Sequence, residues 1–392
     1  MMHADLLDWP FFGDEHRTFA GALRSWAADL PDGHPTDVDA ECKSLVRQLG
    51  DGGWLRHVVP AAYGGASERI DVRTLCIARE VLARRSGLAE SAFAMQGLGA
   101  GPIAIFGSDE LKERYLPPIA RGEAIPAFAI SETDAGSDVS AMRTSARRDG
   151  DSWIIDGEKT WISNAGIADW YIVFCRVEGT EKKFVALIVE ASDAGFSVSD
   201  RIEAMAPHPL GTLSFDACRV PAGRVVGDPE GGLKVALGTL DVFRSAVGAA
   251  AVGFARRALD EALRHVTSRR VFGQALADMQ LTQARIARMA TDIDAAALLV
   301  YRAAWTRDSG AARITREAAM AKMFATEMAQ RVIDDALQLL GGRGVVAHSP
   351  VEQLYREIRA LRIYEGTTEI QQLVIAAQVI GAYKDGAAAA NG

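Results

Sequence analysis

"SWIIDGEKTWIS", residues 152–163, marks where the chain changes its period. It combines alternating apolar residues, aromatics and the turn residues Asp156 and Gly157, which is strand chemistry. Three more short β-rich runs follow: "WYIVFCRV" (170–177), "KFVALIVE" (183–190) and "LSFDACRVP" (213–221). Several strands at this spacing predict a small sandwich or barrel. The change of character begins near Pro126.

On either side the pattern is helical. Phe19, Leu23, Trp26 and Leu30 recur at helical spacing, and Val38, Cys42, Leu45 and Leu49 repeat it. Further helices are predicted over 72–84 and 109–119, the second stopped by Pro117 and Pro118. "VVPAAYGGA" (58–66) reads as a loop, and "GLGAGP" (97–102) as a Gly-rich turn rather than a dinucleotide loop, since no strand leads into it. From Gly232 onward the chain is helical again. "FRSAVGAAAVGFARRALDEALRHV" (243–266) is a long Ala-rich helix, and "RDSGAAR" joins two more over 279–307 and 314–340. The expected fold class is α+β, mostly α. Its parts are an N-terminal helical domain (1–125), a middle β-barrel or sandwich domain (126–231), a C-terminal helical bundle (232–385) and a flexible tail (386–392).

Bulk properties exclude several functions. The 392 residues exceed one domain at a prior of roughly 150 residues each. The net charge of -8 argues against nucleic-acid or anionic-membrane binding. No run of about 18 apolar residues predicts a membrane span. Cys42, Cys76, Cys175 and Cys218 are widely spaced, as in reduced cytosolic proteins. The N-terminus carries neither a basic secretory n-region nor an Arg-rich transit pattern, so a cytoplasmic location is expected. No HExxH, zinc-type Cys/His cluster, GxSxG elbow or P-loop is present, and no metal is expected.

Five segments in order carry a family resemblance: "FAISETDAGSDVSAM" (128–142), "DGEKTWISNAGIADWYIV" (156–173), "SRRVFGQALADMQ" (268–280), "LQLLGGRGV" (337–345) and "RIYEGTTEIQ" (362–371). Together the chain resembles the acyl-CoA dehydrogenases over residues 15–383. These flavoproteins desaturate acyl thioesters. The resemblance implies FAD as cofactor, a four-helix C-terminal bundle, a homotetramer or homodimer, and an electron-transferring flavoprotein as oxidant.

It also implies roles. Phe128, Ser131 and Ser137 would line the flavin, with Ser137 also near the CoA arm. Small residues in such a loop let backbone N–H groups approach phosphate oxygens. Trp161 would stack on the isoalloxazine ring and Ser163 hydrogen-bond it. Arg269, Phe272, Gln280, Gln338, Gly341 and Gly342 would reach the FAD of a neighbouring subunit, the arginine pairing with pyrophosphate. Thr367 and Glu369 would touch FAD. Thr368 and Gln371 also satisfy a capping-box spacing. On the substrate side stand Asp241, Arg244, Tyr364 and Gly366.

Glu365 is the expected catalytic base. An acyl α-proton is weakly acidic, so the base needs a raised pKa, and burial beside apolar Ile363 and Tyr364 would supply it. Its backbone N–H would stabilise the enolate. Some relatives take the base from another helix, at the position of Phe243, which has no basic group. Two departures stand out. "AMAPHPLGTLSFD" (204–216) is shorter than the matching segment and carries Pro207 and Pro209 around His208, which is expected to be an exposed loop residue. Glu357 replaces the usual Asp. A flavin oxidase on the same scaffold and a non-catalytic flavoprotein binding module remain alternative readings.

Overall fold

The computed structural model describes residues 5–31 and 35–390. The first helices are α1 (Asp14–Ala27), α2 (Val38–Asp51), α3 (Val72–Ala83), α4 (Gly87–Phe106) and α5 (Asp109–Ala120). Strands β1 (Pro126–Ala129), β2 (Ser145–Asp149), β3 (Ser152–Ser163), β4 (Trp170–Val177), β5 (Phe184–Glu190), β6 (Phe196–Arg201) and β7 (Leu210–Pro221) follow. The long helix α6 (Gly232–Ser268) leads to a hairpin, β8 (Arg270–Val271) and β9 (Gln274–Ala275). The chain ends with α7 (Gln280–Asp308), α8 (Thr315–Leu340), α9 (Pro350–Leu361) and α10 (Thr368–Ala390). The chain divides into two compact units: Met1–His34, Val72–Glu90 and Asp241–Gly392 form one, Pro35–Asp71 and Ser91–Leu240 the other.

The first unit is helical. Its core is alanine-rich, with Ala246, Ala250, Ala296, Ala321 and Ala329 fully buried. Small residues let the helices approach closely. A Cβ on Gly253 would stand 2.4 Å from the Glu80 carbonyl oxygen of α3, and one on Gly248 would stand 2.8 Å from Val300 of α7. A buried polar link ties the same helices: Tyr301 Oη donates to Glu80 Oε2 at 2.7 Å, and Arg256 pairs with Glu80 at 2.9 Å. Helix α6 is long and apolar enough to cross a membrane by length and composition, but 78% of its apolar window is buried inside the fold. It is a core helix.

The second unit is built on one seven-stranded sheet, in the order β1-β4-β2-β3-β7-β6 with β5 beside β4. Strand β5 runs antiparallel to β4, while β1 and β2 both pair parallel with it, over Trp170–Val173 and Arg176–Val177 respectively. Strands β4 and β5 are buried on both faces, which is why they read as continuous apolar runs rather than alternating ones. The β3–β7 ladder slips register twice, between Ile155 and Gly157 and between Lys159 and Ile162. Such bulges turn a strand and re-aim its side chains.

Three local expectations change. Residues 97–102 are not a turn but lie inside α4, because Gly99 is needed for packing: its Cβ would meet Pro126 at 2.5 Å. Helix α5 runs through Pro117 and Pro118 to Ala120, one residue beyond its expected end at 119. Proline's fixed φ is helical, and buried Leu116 and Ile119 hold the last turn in place. The tail begins as helix, since α10 continues to Ala390, and residues 391–392 lie outside the described residues.

Two glycines of the first unit should respond oppositely. Gly253→Val drives side-chain atoms into the α3 backbone and should destabilise by about 1–3 kcal/mol. Gly381, in α10 with open space at its Cβ position, should gain about 0.5–1 kcal/mol as Ala. Urea denaturation of both variants checks the pair.

Candidate active site

In the first unit, the turn between α9 and α10 puts two successive residues in the left-handed region, Glu365 at φ 53 and Gly366 at φ 91. Glycine adopts this readily; glutamate does not. The turn is held from both sides. Lys322 of α8, itself fully buried, donates to the Gly366 carbonyl at 2.6 Å. Gln371 Nε2 donates to the carbonyls of Glu365 at 3.1 Å and Gly366 at 3.0 Å. The helix cap is Thr367 rather than Thr368: Thr367 Oγ1 accepts from Ile370 N, and Thr368 Oγ1 donates to Glu327. Gln371 therefore serves the turn, not a capping box.

The Glu365 carboxyl is raised by burial, as expected from the sequence, although not all of the expected cover is present. Burial pushes its pKa up; Arg79, Arg244 and Lys322 pull it back, and Glu90 adds to the rise. Its Oε2 is buried and without a hydrogen-bond partner. Ile363, expected to help cover it, is 53% exposed. A cluster of charged groups acts on the carboxyl electrostatically. Arg79 pairs with Glu90, both buried, and burial together with Glu90 lifts Glu357 to about 8. Burial lowers Lys322 to about 8 against the pull of Glu365.

Arg244 is buried, with Nε lacking a partner, and sits 3.5 Å from Asp241. It is no solvated helix-face charge. Asp241 also accepts from Thr315 at 2.8 Å. Phe243 is buried. Arg79, Glu90 and Lys322 were not singled out from the sequence. The signal was there: Arg79 lies on the stripe of Cys76 and Leu82, and Lys322 on that of Ala318 and Ala325, where a surface charge does not belong.

Elsewhere on this unit, Arg269, Phe272, Gln280, Gln338, Gly341 and Gly342 are all exposed. Phe272 is 96% exposed at the β8–β9 tip with φ 50. His265 is lowered by burial and by both Arg343 and Arg269, so the end of α6 and the end of α8 meet there. Gly341 also caps α8, its N–H donating to the Gln338 carbonyl.

In the second unit, the loop after β1 is pinned by Glu132. Burial would raise this carboxyl, but Lys159 and the Arg143 backbone N–H hold it low. Lys159, fully buried, donates to Glu132 at 2.7 Å and to the Ile130 carbonyl at 3.0 Å. The loop leaves Ser137 exposed and Ser131 partly buried. Phe128 packs against Phe174 at 4.7 Å. At the β3 bulge, Trp161 is 51% exposed at φ 56 and Asn164 is buried at φ 64, so they bracket Ser163 in left-handed backbone. A strained, half-exposed indole beside a hydroxyl suits a flat cofactor that stacks and accepts hydrogen bonds. His208 is not an exposed loop residue. Its Nε2 lies 2.7 Å from Ser163 Oγ and its Nδ1 2.9 Å from Ser91 Oγ, and burial pushes the ring down to about 4.

Glu357→Gln tests the cluster. A carboxyl raised from 4.5 to about 8 favours folding below its unfolded pKa and loses that contribution as pH rises through 8. The variant should therefore gain stability relative to the parent between these limits, with no further gain above. Denaturation midpoints across pH check this.

Comparison with known proteins gives the family. The N-terminal, middle and C-terminal domain models of acyl-CoA dehydrogenase match residues 13–123, 127–218 and 230–380. A probable acyl-CoA dehydrogenase, fadE25, of Mycobacterium leprae is 37% identical over 92% of this chain and 94% of its own length. The structure of butyryl-CoA dehydrogenase from Megasphaera elsdenii superimposes with a TM-score of 0.88 at 30% identity, covering 94% of this chain and 99% of the other. An acyl-CoA dehydrogenase from Bacillus anthracis complexed with FAD gives 0.87 at 30% identity, over 96% of this chain and 68% of that one. The chain therefore belongs to the acyl-CoA dehydrogenase family, flavoprotein oxidoreductases that act on CH–CH donors.

Proposed function

We propose that this enzyme oxidises R–CH2–CH2–CO–S–CoA to the trans-2-enoyl thioester, with Glu365 as the base. The observation that carries this reading is the Glu365 carboxyl: buried, unpartnered at Oε2, raised in pKa and fixed on left-handed backbone. Burial raises the affinity of the carboxyl for a proton, as a base for an α-proton requires, and the three surrounding cations oppose that rise. The Glu365 backbone N–H stabilises the enolate oxygen as charge develops. Arg244 and Asp241 stand on the substrate side with Tyr364 and Gly366.

FAD, when bound, supplies the two-electron acceptor for the β-hydride. Phe128, Ser131, Ser137, Trp161 and Ser163 of the second unit would hold it. Arg269, Phe272, Gln280, Gln338, Gly341 and Gly342 are assigned to the FAD of a second copy in a homodimer or homotetramer. The fully exposed, strained Phe272 supports that assignment. Sedimentation of the flavin-loaded protein tests it: a monomer that keeps FAD on dilution rejects it.

The physiological oxidant is taken to be an electron-transferring flavoprotein; rapid reoxidation of the reduced enzyme by air would point to an oxidase instead. The four buried free thiols support a cytoplasmic location.

Anaerobic titration with a panel of acyl-CoAs tests the reaction, because substrate bleaches the visible flavin band. Glu365→Gln should retain FAD and slow bleaching by about 10²–10⁴-fold. Bleaching at the parent rate would reject Glu365 as the base.

A further inference from the structure

We infer that His208 is a positioning residue that fixes the Ser163 hydroxyl and sets it to donate a hydrogen bond to the flavin ring. The inference rests on the reading of Ser163 as a flavin contact. It begins from the one segment where this chain departs most from its family pattern, residues 204–216.

That segment is built to hold the imidazole still. Pro207 and Pro209 fix φ on both sides of His208. The strand that follows is stapled to β3: Asn164 N donates to the Pro209 carbonyl at 2.9 Å, and Leu210 pairs with Ser163 in the ladder. Asn164 is in turn anchored by its side chain, which donates to the Pro126 carbonyl at 3.0 Å. The ring then spans two hydroxyls, Ser163 Oγ on β3 at 2.7 Å and Ser91 Oγ on α4 at 2.9 Å. Both ring nitrogens are engaged, and both partners lie in the same compact unit.

Hydrogen counting gives the consequence. Burial keeps the ring neutral down to a pKa of about 4, so it carries one N–H and one lone-pair nitrogen. With the proton on Nε2, the ring donates to Ser163, and Ser91 donates to Nδ1. The Ser163 hydrogen is then free for a third group. With the proton on Nδ1, the Ser163 hydrogen is spent on Nε2 and only lone pairs remain. A hydroxyl that must serve an acceptor on the oxidised ring selects the first arrangement. Without His208, the Ser163 hydroxyl rotates freely and loses its bias.

A double-mutant cycle on the holoenzyme decides this. Ser163→Ala, His208→Leu and the double variant are compared by FAD dissociation constant and flavin midpoint potential, with His208→Gln as the conservative replacement. His208→Leu should weaken FAD binding by about 5- to 20-fold and shift the potential in the same direction as Ser163→Ala. The double variant should be no worse than Ser163→Ala alone, and His208→Gln, which can still donate toward Ser163, should recover most of the loss. Ser91→Ala gives a milder version of the same result if His208→Leu does not fold. In the flavin-loaded parent, ¹⁵N spectra should show the proton on Nε2. Additive effects, an unchanged dissociation constant in His208→Leu, or a proton on Nδ1 would each overturn the inference alone. A parent chain that takes up no FAD would overturn the cofactor reading and this inference with it.

Discussion

A turn with two consecutive left-handed residues is costly when the first is a glutamate, at about 1–2 kcal/mol for the non-glycine position. At Glu365–Gly366 that cost is offset by the ammonium of Lys322 and the amide of Gln371, both aimed at its carbonyls. A hydrogen bond from a charged group contributes about 1.5–3 kcal/mol, enough to hold the turn. The same lysine is one of three cations acting on the Glu365 carboxyl. One buried side chain thus acts on both the backbone geometry and the proton affinity. The turn places the carboxyl, and the group that stabilises the turn limits how far burial can raise its pKa.

The cluster around this turn sorts its carboxyls by environment. Glu90 has Arg79 directly on it, and burial and pairing oppose each other there. Glu357 has no such partner among the causes of its shift; burial and the nearby Glu90 carry it to about 8, so it holds its proton at neutral pH. Glu365 is raised by burial and by Glu90 and lowered by Arg79, Arg244 and Lys322. Divergent pKa values among neighbouring acids are what assigns separate roles. A Cβ on Gly87 would stand 2.4 Å from the Glu357 carboxyl, so the start of α4 is packed onto this acid. Glycine at 87 leaves the room that the Glu357 carboxyl occupies.

Sequence patterns carried the architecture well because hydrophobic period is a local signal. The helix–strand–helix order followed from it, as did the ends of α3, β3, β4, α7 and α8 to within a residue. The patterns failed at Gly99, which lies inside a helix and packs against Pro126 rather than marking a turn. The family motifs brought Glu365, Trp161 and Ser163 to notice, but not why they are held. A left-handed glutamate or tryptophan leaves no mark in composition. Arg79 and Lys322 were legible only as charges on apolar stripes. His208 was misplaced because proline-flanked histidines in loops usually face solvent, and its two serine partners lie 45 and 117 residues away in sequence.

The two units use one device twice. In each, a side chain assigned to the reaction sits on left-handed backbone, and a fully buried lysine donates to a main-chain carbonyl close by: Lys322 to Gly366, Lys159 to Ile130. A buried ammonium without partners is unfavourable, so each lysine stabilises only the backbone path that presents its acceptor. That makes the local conformation specific rather than merely stable. Strained positions persist where the surroundings over-determine them. Here the over-determination comes from amides and ammonium groups pointed at carbonyls, which leaves the atoms proposed to act, Glu365 Oε2 and the Trp161 face, open to other partners.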